Sequence, residues 1–105
     1  MNKEENLNRF RNKYEAMCKE INKRGIYTKL SSINGALSAL IENKDYLEEI
    51  DKYMIYNLLL VAKSYDKKIK VSEIPSKYKL QAICLSANLK EIENLQIKQD
   101  DYRKR

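Results

Sequence analysis

Two glycines and one proline in 105 residues leave this chain few places to turn tightly. A strand-rich domain must reverse direction about every ten residues, and glycine, proline and their neighbours make those bends. A chain without them folds by long elements joined by few connections, and therefore by helices. Apolar residues make up 43% of the sequence, too many for a disordered polymer and enough for one core. The expectation is an all-α, antiparallel four-helix bundle formed by residues 1–98 as a single domain, with residues 99–105 as a charged, frayed tail.

The helices are read from three- and four-residue recurrences of apolar side chains. Leu7, Phe10, Tyr14, Met17, Cys18 and Ile21 mark a first helix over 3–24. Asn2 and Glu5 are spaced as a capping box at its start, and Gly25 suits the left-handed position after its end. Leu30, Ile33, Leu37, Leu40 and Ile41 mark a second, starting among the cap candidates of 28–32 and ending near Asn43. Its small residues Gly35, Ala36 and Ala39 would let a neighbour approach closely. Asp45 and Glu48 form another capping-box spacing, and the third helix is expected at 46–66. Leu47, Ile50, Met54, Leu58, Val61 and Tyr65 make its inner face.

Its second half is apolar nearly all round, through Tyr53, Ile55, Tyr56, Leu59 and Leu60, so it is either central in the bundle or has a face for a partner. Lys67–Lys77, with Pro75 inside it, reads as a loop from which Ser72 or Ser76 caps the last helix. That helix is expected at 77–98 with two rotated stripes, Leu80, Ile83, Cys84, Ala87 and Leu85, Leu89, Ile92, Leu95. Asn88 and Glu91 repeat the capping spacing, so a kink or split near Ser86–Asn88 is expected.

The residues that carry chemistry are missing. There is no histidine, hence no imidazole base and no Ser-His or Cys-His pair. The glycines stand alone, so no phosphate loop exists, and two distant cysteines do not make a zinc site. Glu48, Glu49 and Asp51 cluster where acids favour a helix start. The reading is a protein with no catalytic residues, no metal, no cofactor and no small-molecule substrate. No stretch reaches the length of a membrane span. Met1–Phe10 is polar and lacks the apolar core of a secretory signal, so a cytoplasmic chain with two reduced, buried thiols is expected.

What remains is binding. The net charge of +6 is uneven: residues 1–30 carry +4, residues 31–60 carry −3 and residues 61–105 carry +5. Of the eight tyrosines, Tyr14, Tyr53 and Tyr65 lie on or beside core stripes. Tyr27, Tyr46, Tyr56 and Tyr78 have no core assignment and suit a binding surface. The end of the bundle bearing Tyr56, Leu60, Lys67, Lys68, Lys70 and Tyr78 is the expected contact with another protein, or with a second copy of the chain. The alternative is a nucleic-acid face on the first helix, made by Arg9, Arg11, Lys13, Lys19 and Lys23.

The stretch Tyr53–Ala87 bears on the kind of partner. An aliphatic helix is followed by Asp66-Lys67-Lys68-Ile69-Lys70-Val71, then Ile74-Pro75, then a final helix. In this order of parts, over about half its length, the chain resembles the immunity proteins that protect producers of pediocin-like bacteriocins. The last helix is longer than that family's. The resemblance implies a cytoplasmic antiparallel four-helix bundle whose C-terminal half recognises a membrane-associated protein complex. A phage or mobile-element regulator that binds and inhibits a host protein fits the same size, charge and lack of chemistry.

Overall fold

The computed structural model describes residues 2–23, 25–69, 72 and 74–95. Four helices, α1 (Lys3–Ile21), α2 (Ile26–Glu42), α3 (Lys52–Lys68) and α4 (Lys79–Asn94), run alternately up and down. Short 3-10 segments, Lys44–Glu49 and Ser76–Tyr78, precede α3 and α4. No strand occurs among the described residues. The expected all-α bundle is what forms, with its tail and residues 96–98 lying outside the described residues.

The centre is α2, not the third helix. It packs most extensively on α1, then on α4, and also touches α3. The reason is in its sequence: Lys29 and Glu42 are its only charges, and they stand near its two ends. Leu30, Ile33, Ala36, Leu37, Ala39 and Leu40 are all buried. They meet Phe10 and Met17 of α1, Ile55, Leu58, Leu59 and Ala62 of α3, and Leu85, Leu89 and Ile92 of α4 in one core. Gly35 admits a side chain and not a backbone: an added Cβ would lie 3.6 Å from Cδ of Lys13.

Local signals decide some boundaries and tertiary burial decides others. Asn2 caps α1 as expected, its Oδ1 accepting from the Glu5 amide at 2.8 Å. The helix stops at Ile21 and not at 24, with Asn22 as its C-cap. Gly25 does take a positive φ of 96°, but as the residue that opens α2. The Asp45–Glu48 spacing does not start α3. Tyr46 leaves helical geometry and Ile50 is extended and buried, so the chain bends inward before the helix begins. Asp51 then caps it, accepting from the Tyr53 amide at 2.8 Å.

α4 follows a 3-10 turn after Pro75 and uses neither serine as a cap. It also runs unbroken through Ser86–Asn88. The two residues expected to break it are engaged sideways: Ser86 donates to Asp66 Oδ1 at 2.7 Å, and Asn88 donates to Asn34 Oδ1 at 3.2 Å.

Buried amides set the register between helices. Asn34, only 8% exposed, donates through Nδ2 to both the backbone oxygen and Oε1 of Gln81, each at 2.9 Å. With Asn88 this forms a polar seam between the parallel helices α2 and α4. Asn43, fully buried at the end of α2, donates to Asn6 O and Ala39 O and so fixes the antiparallel α1–α2 pair. Its Oδ1 has no hydrogen-bond partner among the described residues. Tyr14 ties α1 to α3 by accepting from Asn57 at 2.8 Å.

Candidate binding surfaces

The helical period turns the outer face of α3 into a stripe. At 3.6 residues per turn, Tyr53, Tyr56, Leu60 and Lys67 fall on one side, opposite the buried Ile55, Leu58, Leu59 and Ala62. Tyr53 is 68% exposed and Leu60 55% exposed, which marks the side as outward. Tyr56 is half-buried and Lys67 and Lys68 are exposed. Three of the six expected contact residues, Tyr56, Leu60 and Lys67, are therefore brought onto one face. Lys68 is turned away, with its Nζ 5.6 Å from the ring centroid of Tyr65. Tyr78 is stacked on Tyr27 of α2, with centroids 3.7 Å apart and planes 4° from parallel. Lys70 falls outside the described residues. Tyr53, assigned above to the core side, belongs instead to the surface stripe, because Ile50 and Ile55 take the inward positions.

A second exposed apolar stripe lies on α4, where the two rotated stripes of the sequence compete for one core. Leu85, Leu89 and Ile92, together with Ala82, face inward. Leu80 is left 70% exposed and Ile83 54% exposed, with Ala87 also outside. The sequence signal was present in the rotation between the stripes, since one helix cannot bury both against two neighbours.

The five basic residues expected on the first helix do not converge. Lys23 lies beyond the end of α1, and by the helical period the other four spread over more than half of its circumference. Arg9 pairs with Glu42 at 3.4 Å and Lys23 with Glu20 at 3.6 Å, while the Lys13 chain lies by Gly35. Arg11 and Lys19 are exposed on other sides. A nucleic-acid backbone would meet them as scattered charges and not as a track.

A cleft of about 220 Å³ between α3 and α4 is lined by Asp66, Ile69, Ala82, Leu85 and Ser86. That is below the usual size of a small-molecule site, and its one carboxylate accepts the Ser86 hydroxyl. No group of three or more cysteines or acids that could hold a metal ion occurs among the described residues. The thiols, Cys18 and Cys84, are free and half-buried, where full burial was expected. Burial raises the Tyr14 phenol above its usual value. The Asn57 hydrogen bond acts in the opposite direction, and neighbouring Cys18 adds to the rise. Lys3 is also raised, by its contact with Glu49, but it stands at the surface. No described helix is long and apolar enough to cross a membrane.

Compared with known proteins, the chain matches no family model, no curated protein and no solved structure.

Proposed function

We propose that this chain is a non-enzymatic binding protein that docks a protein partner on the outer face of α3. The observation that carries the reading is the exposure of Tyr53 and Leu60 on a helix whose opposite side is fully used in the core. Folding alone does not require those two side chains to be apolar. Large amphipathic aromatics beside an aliphatic residue and lysines are the composition of interface anchors. The lack of histidine, the commonest general base, supports a role without catalysis.

A photo-crosslinking residue at position 60 tests the proposal, with the same residue at Asn12 on the exposed side of α1 as control. The expected result is a discrete protein adduct at 60 that survives nuclease treatment and is absent at 12. No adduct at 60, or the same adducts at both positions, would refute it. The narrower reading as an immunity protein rests on the resemblance in Tyr53–Ala87. It is tested by asking whether expression protects sensitive cells from a pediocin-like bacteriocin, and whether Leu60→Ser removes that protection.

A further inference from the structure

Alternating helix directions collect charge at one end of this bundle. The Tyr27–Tyr78 stack places the starts of α2 and α4 side by side, and the ends of α1 and α3 lead to the same place. This end carries Lys19, Lys23, Lys29, Lys67, Lys68 and Lys79 among the described residues. The described acids there are Glu20, which pairs with Lys23, and Asp66, which accepts the Ser86 hydroxyl. The opposite end holds the nine acids Glu4, Glu5, Glu42, Asp45, Glu48, Glu49, Asp51, Glu91 and Glu93 against Lys3, Arg9, Lys44, Lys52 and Lys90 among the described residues, a net negative balance. The bundle is thus polarised along its axis. Leu80, the most exposed large apolar side chain among the described residues, stands in the first turn of α4 at the basic end, with Ile83 one turn further.

We infer that the basic end docks on an anionic phospholipid surface, with Leu80 and Ile83 entering the headgroup layer and the acidic end pointing away. A cluster of four to eight basic residues is drawn to an anionic leaflet, each contributing about a fivefold gain in partitioning. Protruding aliphatic side chains add apolar contact, and lysines keep their ammonium groups among the headgroups while their stems lie on apolar material. Nucleic acid is disfavoured as the occupant because a phosphate backbone gives no reward for Leu80 and Ile83. The inference rests on α4 and the basic end, and of the α3 face proposed above for a protein partner it uses only Lys67.

Flotation with vesicles tests it, comparing pure phosphatidylcholine with phosphatidylcholine containing about one-third phosphatidylglycerol. The full chain is expected to partition at least about tenfold more strongly onto the anionic vesicles, and to be released as salt screens the attraction. Leu80→Ser with Ile83→Ser should weaken binding about tenfold while leaving the melting curve intact, since both are exposed. Lys29→Glu with Lys79→Glu should abolish it. Arg11→Glu with Lys44→Glu lowers the net charge equally but away from this end, and should leave most binding in place. Equal binding to both vesicles, no binding to either, or equal loss from the two charge-reversed pairs would overturn the inference. Preferential binding to duplex DNA, indifferent to Leu80 and Ile83, would overturn it in favour of a nucleic-acid surface.

Discussion

Replacing Asn34 with alanine removes three hydrogen bonds at once from the seam that holds α4 against α2. Two are donations to Gln81, at 2.9 Å each, and one is an acceptance from Asn88 at 3.2 Å. A hydrogen bond of this kind contributes roughly 0.5–1.5 kcal/mol net. Gln81 and Asn88 are themselves half-buried, so water can reach the groups left behind and the lower part of that range applies. Alanine also returns a few tenths of a kcal/mol in helix propensity. The net cost is then about 2 kcal/mol, which for a domain of this size lowers the melting temperature by roughly 10 °C. Asn34→Asp should cost more than alanine, because a carboxylate cannot donate and would face two acceptor oxygens. Thermal and urea unfolding followed by circular dichroism give the values. A double-mutant cycle with Gln81→Ala should return a coupling of about 1 kcal/mol. If Asn34→Ala is neutral within about 0.5 kcal/mol, or the two changes are additive, the seam does not hold α4 in place.

Three further outcomes follow from single sites. Gly35→Ala should stabilise by about 0.5–1 kcal/mol, because the new methyl meets only the flexible Lys13 chain at ordinary contact distance while the helix gains propensity; a loss in urea unfolding would contradict this. With its pKa raised in the fold, Tyr14 contributes stability that is complete below the unfolded value near 10 and is lost as pH rises through the folded value, so Tyr14→Phe should flatten the alkaline limb of stability against pH. Cys18 and Cys84 should react with a thiol reagent in the native state, more slowly than free cysteine, and reductant should leave the melting temperature unchanged; complete protection until unfolding would place them deeper than the structure does.

The parts of the fold legible in sequence are those set within one or two turns. The Asn2–Glu5 box needs only its own backbone, and it forms. The Asp45–Glu48 box has the same spacing and fails, because burying Ile50 requires extended backbone just where the box would begin a helix. Ser86 and Asn88 looked like a break for the same local reason. Their side chains find Asp66 and Asn34, partners far away in sequence, and the helix continues. Of the two readings open for the third helix, central or with an outward apolar face, apolar content alone does not decide, and charge does. α3 is rich in leucine and tyrosine but carries four lysines, while α2 has one lysine and one glutamate in 17 residues.

Surface function was legible only as far as helical period could carry it. Tyr56, Leu60 and Lys67 share a face because their spacing requires it. Tyr78 follows them along the chain, but the stack with Tyr27 takes it to the α2–α4 side. The charge pattern shows how topology supplies what periodicity cannot. In the sequence it is a basic block, an acidic block and a second basic block. In an up-and-down bundle, successive connections lie at alternate ends. The connections α1–α2 and α3–α4 fall in the basic blocks, and the connection α2–α3, from Glu42 to Asp51, falls in the acidic one. Alternation in sequence thus becomes polarity in space. The same alternation built from mixed charges would give a neutral bundle of the same fold, so the polarity is not demanded by folding. A fold that does not need its charges sorted, and has them sorted with two bare aliphatic side chains beside one end, points to a surface that the sorting serves.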